Sequence, residues 1–182
     1  MRPIVRYPLA GLLILVVIFA VGGSMAIYGD TFINPWLPLL LALATGLSTS
    51  LVMWKGWRGV TDSDSRTFNS ICHVATVTSV LTAAFYLGNY AWADTSTLHE
   101  EKAVVVSRYS ETRHKSKRVG RRTVAGEPYK VYFVEVEMAD GRRKSLSASY
   151  ARFRRIHTGD TLSLQVEEGA LGFPVIKKNK LR

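Results

Sequence analysis

The densest run of chemistry-bearing side chains lies between Arg113 and Arg122. Arg113, Lys115, Lys117, Arg118, Arg121 and Arg122 place six positive charges in ten residues, with His114 among them. Guanidinium and ammonium groups at this density suit an anionic lipid headgroup, an acidic envelope polymer or an acidic patch on a partner protein. A flexible, solvated loop carries charge runs of the same kind. Arg142, Arg143 and Lys144 form a second cluster, expected to extend the first into one basic surface.

Other chemistry is poorly provided for. Cys72 is the single cysteine, which excludes an internal disulfide and a multi-cysteine zinc site. His73, His99, His114 and His157 include no pair three or four residues apart, so no metal is expected on a helix. No nucleophile elbow, phosphate-cradling glycine loop or zinc helix is present, and the adjacent Glu167 and Glu168 read as a solvated strand end. Neither an enzymatic activity nor a cofactor is expected.

The elements that must hold these groups fall into two halves. The 182 residues carry 24 Lys and Arg against 14 Asp and Glu. Up to Ala93 the basic residues are Arg2, Arg6, Lys55, Arg58 and Arg66, and the acidic ones Asp30, Asp62 and Asp64. Nineteen basic and eleven acidic residues therefore follow, which is the pattern of a membrane anchor, Met1–Ala93, carrying a polar domain.

Three stretches reach the ~20 apolar residues that span a bilayer: Pro8 to Tyr28, Pro35 to Trp54 and Ser70 to Trp92. Tyr7, Tyr28, Trp36, Trp54, Trp57, Tyr90 and Trp92 mark their ends, where headgroups would lie. The first stretch exceeds the ~7–15 apolar residues of a signal peptide and is expected to be retained. Ala42, Gly46 and Ser50 recur at helical spacing in the second, as helix packing requires, either within the chain or against another membrane protein. His73 is the one imidazole in a span. It is expected to bond a neighbouring hydroxyl in its neutral form, with proton handling the sharper alternative. Basic residues at the N-terminus and between the second and third stretches place both on the cytoplasmic side, and the polar domain outside.

After a linker, Asp94–Glu101, the pattern changes to short alternating segments. Tyr132, Val134, Val136 and Met138 share one face of a strand, and Asp140-Gly141 predicts a type I′ hairpin turn into Arg142–Ala148. Tyr150, Phe153 and Ile156 mark a short helix. Leu162, Leu164 and Val166 mark a further strand, and Pro174 an edge strand. The expected fold is thus membrane α-helical with three spans plus all-β. The domain, Lys102–Lys177, is a small five-stranded OB-like barrel or sandwich with one short helix, followed by a basic tail, Lys178–Arg182. The stretch Ser110–Pro128 is read as a long connecting loop.

Val104-Val105-Val106, the Tyr129–Met138 strand, Asp140-Gly141-Arg142, His157-Thr158-Gly159-Asp160 and Gly169-x-Leu171-Gly172 follow one another in that order. In this the chain resembles uncharacterised bacterial inner-membrane proteins in which transmembrane helices precede a small β-barrel domain. The resemblance implies a bacterial cytoplasmic membrane and no activity. The function expected is an accessory or scaffolding membrane protein for protein–protein assembly. The alternatives are a binding module for an anionic envelope ligand or lipid headgroup or, were the domain cytoplasmic, for nucleic acid, which an exported domain rarely meets.

Overall fold

The computed structural model describes residues 3–178 and 181. Three helices, α1 (Pro3–Tyr28), α2 (Trp36–Thr61) and α3 (Arg66–Ala91), are long and apolar enough to cross a membrane. Each has 26 residues, about 39 Å at 1.5 Å per residue against a hydrocarbon core of ~30 Å. The second and third exceed the apolar stretches because helix geometry continues through polar ends. Lys55 and Arg58 therefore sit on the last turns of α2 and Arg66 opens α3, rather than occupying a loop. The loop itself is Asp62–Ser65. Asp62 caps α2 with φ 57°, and the Ser65 hydroxyl accepts from Phe68 N–H at 3.3 Å to cap α3. Arg58 pairs with Asp64. Arg2 lies outside the described residues, as do the side chains of residues 3–7, Arg6 and Tyr7 included.

The chain forms two compact units, Met1–Asp94 with Glu168–Val175, and Thr95–Glu167 with Ile176–Arg182. In the first, α3 packs against both other helices. Ala42, Gly46 and Ser50 form the buried stripe of α2. A Cβ on Gly46 would lie 3.2 Å from Thr78 Oγ1 and 3.4 Å from the Val74 backbone, so the small residues serve packing within the chain. Leu12, Phe19, Met25, Leu51 and Val52 are exposed on the outside of the bundle, as a lipid-facing surface requires.

The second unit is built on an antiparallel sheet of order β3-β2-β1-β4-β5. Its strands are β1 (Asp94–Val119), β2 (Arg122–Met138), β3 (Arg143–Ala148), β4 (Thr161–Glu168) and β5 (Pro174–Lys178). Helix α4 (Tyr150–Arg155) lies between β3 and β4. Val134, Val136 and Met138 are buried as their alternation predicts, together with Leu146, Leu164 and Val166. Tyr132 packs against Tyr150 and Phe153 of α4 with tilted rings, centroids 5.2 and 4.9 Å away.

Several expectations are corrected. The sheet is not a closed barrel: Ser149 N–H donates to Leu181 O at 2.8 Å, but the short edge strands β3 and β5 do not pair. Asp94–Glu101 is not a linker but the opening of β1. The β2–β3 turn is a three-residue loop with Gly141 alone at positive φ (82°), closed by Met138 N–H to Arg142 O at 2.9 Å. That is a type I turn with a G1 bulge, not type I′. The basic tail lies outside the described residues apart from the Lys178 backbone and Leu181.

Candidate functional site

The largest difference from expectation is at Ser110–Pro128, which is no loop. Strands β1 and β2 pair from Ala103↔Met138 to Val119↔Arg122, with register shifts between Val105 and Ser107 and between His114 and Ser116, and only Gly120 and Arg121 form the turn. Gly120, at φ 61°, occupies the first central position, as a type II′ turn demands. Neighbouring strands cover only the root of this hairpin. β3 pairs with β2 over Tyr132–Glu137, and Asp160, just before β4, meets β1 at Val105, whose N–H donates to Asp160 O at 2.9 Å. Beyond them Ser110–Val119 and Arg122–Val131 make a two-stranded arm, roughly 30 Å long at ~3.3 Å per residue. It carries seven basic residues and two acidic ones, a net charge of +5.

The pairing decides which charges share a face. Arg113 lies opposite Tyr129, Lys117 opposite Val124 and Val119 opposite Arg122, so one face mixes cations with apolar side chains. The other carries Thr112 with Lys130, His114 with Pro128, Ser116 with Ala125 and Arg118 with Thr123. Lys115 stands opposite a bulge at Gly126-Glu127. A Cβ on Gly126 would come within 2.8 Å of Lys115 O, so the close approach requires glycine.

Charge compensation is uneven. Arg113 pairs with Glu111 at 2.9 Å and Lys115 with Glu127 at 3.9 Å. Among the described residues no carboxylate lies within 4.0 Å of Lys117, Arg118, Arg121 or Arg122. The uncompensated charge is thus concentrated at the tip. At the root Arg113 lies over the Phe133 ring (5.6 Å), Phe133 stacks on Tyr109 (5.3 Å), and the Tyr109 and Ser145 hydroxyls bond at 2.9 Å.

Arg142, Arg143 and Lys144 do not join this surface. They flank the Met138 end of β2, some fifteen residues from Arg122, about 50 Å along the strand. Arg142 pairs with Asp140, Arg143 pairs with Glu137 at 2.7 Å, and Lys144 is buried on the inner face beside Val136. The Arg142 backbone N–H, with its guanidinium, holds the Asp140 carboxyl below the usual carboxylate range. Among the described residues no three His, Cys, Asp or Glu side chains gather to hold a metal.

Two buried polar arrangements in the helical unit were at most partly legible in the sequence. His73 Nδ1 accepts from Trp57 Nε1–H at 2.9 Å, and its Nε2 lies 2.8 Å from Thr49 Oγ1, which bonds Thr45 O at 2.8 Å. Indole N–H only donates, so Nδ1 carries no proton and the ring is the neutral Nε2–H tautomer. The hydroxyl partner was expected; the tryptophan was not. Asn89, fully buried, donates from Nδ2 to Phe173 O at 2.9 Å and accepts at Oδ1 from Leu171 N–H at 3.1 Å. Phe32 N–H adds a bond to Pro174 O at 3.0 Å, so the Glu168–Val175 segment is anchored within the helical unit.

No protein-family model, curated protein or solved structure matches the chain.

Proposed function

We propose that the chain is a non-enzymatic accessory or scaffolding protein of a bacterial cytoplasmic membrane, and that its basic arm docks an acidic surface of another membrane or envelope protein. The observation that carries the reading is the two-stranded arm whose tip residues Lys117, Arg118, Arg121 and Arg122 lack carboxylate partners among the described residues. A strand-paired arm holds its cations at fixed spacing, so less ordering entropy opposes docking than for a flexible loop.

The N-terminus is cytoplasmic and the sheet domain extracytoplasmic in this reading. Support comes from Lys55, Arg58 and Arg66 gathered at the α2–α3 connection, while the α1–α2 connection holds only Asp30. The domain is OB-like in this reading. The order β3-β2-β1-β4 is a Greek key, β5 extends it, and α4 lies between β3 and β4.

The test replaces Lys117, Arg118, Arg121 and Arg122 together by Gln in the full chain and compares what co-purifies from native membranes at low salt. An acidic protein retained by the wild type and depleted about tenfold or more by the variant supports the reading. An unchanged set of partners overturns it. Retention of anionic lipid instead of protein transfers the arm to headgroup binding.

A further inference from the structure

Resting on that assembly reading, we propose how the partner binds: an extended acidic segment adds a third strand to the outer edge of β1 over Ser110–Val119. This edge is open. Gly159 and Asp160, which lead into β4, bond Val105 on that edge, and from Ser107 to Val119 β1 has backbone partners on its β2 side only, among the described residues. In a two-residue hairpin the residues flanking the turn, here Val119 and Arg122, exchange the backbone bonds. The outward N–H and C=O groups of the arm therefore belong to Arg118, Ser116, His114, Thr112 and Ser110.

The two edges of the arm are not equivalent. On β2 the Gly126-Glu127 bulge breaks the run, and Pro128 has no N–H to offer. Those are the devices that blunt an edge against pairing. On β1 the run from Ser107 to Val119 holds no proline, glycine or inserted residue. One edge is closed to a new strand by its backbone, and the other is guarded by charge alone.

Charge selects the occupant. The β1 side of the arm carries Arg113, Lys115, Lys117 and Arg118 against Glu111. A second copy would set like charges opposite one another, which destabilises a strand pair, whereas a strand bearing Glu or Asp sets opposite charges there. A two-stranded ribbon is also marginal in water by itself, and a third strand relieves that. Strand addition with main-chain bonds for affinity and side chains for choice is an established mode of peptide recognition.

The test uses the full chain in nanodiscs of neutral lipid and a ten-residue peptide alternating Thr and Glu as probe. Two further peptides of identical charge are N-methylated on one or the other alternate set of residues, since only one set faces β1. One methylation pattern is expected to weaken binding about tenfold or more and the other to leave it within about twofold. Equal binding of both methylated peptides, or no binding of the parent peptide, overturns strand addition. If both methylated peptides bind equally while the Lys117, Arg118, Arg121 and Arg122 to Gln variant loses them, strand addition falls and the assembly reading stands. If anionic vesicles or single-stranded DNA bind the chain more tightly than the parent peptide, the acidic-strand occupant is wrong.

Discussion

The anchoring of the Glu168–Val175 segment by Asn89 gives the sharpest energetic prediction. Asn89→Ala removes the acceptor of Leu171 N–H and one of the two donors to Phe173 O, which keeps Gly169 N–H at 3.1 Å, and leaves the Asn89 main-chain O to Ala170 N–H at 3.3 Å. Leu171 N–H alone is orphaned, which costs ~1–3 kcal/mol with values towards the low end in bilayers, so the substitution should cost about 1–2 kcal/mol. That corresponds to a rise of roughly 5- to 30-fold in the exchange rate of the Leu171 amide, read by hydrogen exchange in nanodiscs. Gly169→Ala should cost a similar amount by another route, because a Cβ there would overlap both side-chain atoms of the Asn89 amide and Phe173 O. Asn89→Ala removes two of those three obstructions. The double variant should therefore fall short of the sum of the single ones by about 1 kcal/mol or more. Additive costs, or a Leu171 amide whose rate changes less than about twofold, would refute the anchor.

Trp57→Phe deletes the donor to His73 Nδ1 and should cost about 0.6–1.7 kcal/mol in a bilayer, measured by unfolding in detergent. In the wild type, imidazole nitrogen NMR should find the proton on Nε2, and a proton on Nδ1 contradicts the geometry. At the β2–β3 turn Asp140 is depressed by Arg142, so its contribution to stability is present above the ordinary carboxylate pKa and is lost as pH falls through its lowered value. The group is exposed, so Asp140→Asn should flatten the acid limb of a pH–stability curve by only about a few tenths of a kcal/mol. A carboxyl carbon titration placing Asp140 at or above the ordinary value contradicts the hydrogen bond.

What the sequence disclosed follows the physics of burial. The helical stretches were legible because a bilayer demands unbroken apolar runs, and Val134, Val136, Leu146, Leu164 and Val166 because one sheet face is buried. The arm was hidden because neither of its faces is buried, so Lys115, Lys117 and Arg118 show no alternation of hydrophobic with polar. The readable signal was Val119-Gly120-Arg121-Arg122-Thr123-Val124, a Gly-x turn between β-branched residues. Separation of Arg142, Arg143 and Lys144 from the arm depends on strand register, which one sequence does not specify across so long a pair. The role of Asn89 was not legible, since its partners lie more than eighty positions away.

Both functional proposals require the arm to be a preformed ribbon in the register Arg118↔Thr123. Cysteines at those two positions in a Cys72→Ser background lie directly opposite on a non-hydrogen-bonded pair, where the Cβ atoms approach to disulfide distance. Oxidation kinetics in nanodiscs should show Arg118→Cys with Thr123→Cys closing about tenfold or more faster than Arg118→Cys with Val124→Cys, whose side chains point to opposite faces. Equal rates for the two pairs would make this segment a flexible loop and contradict the account.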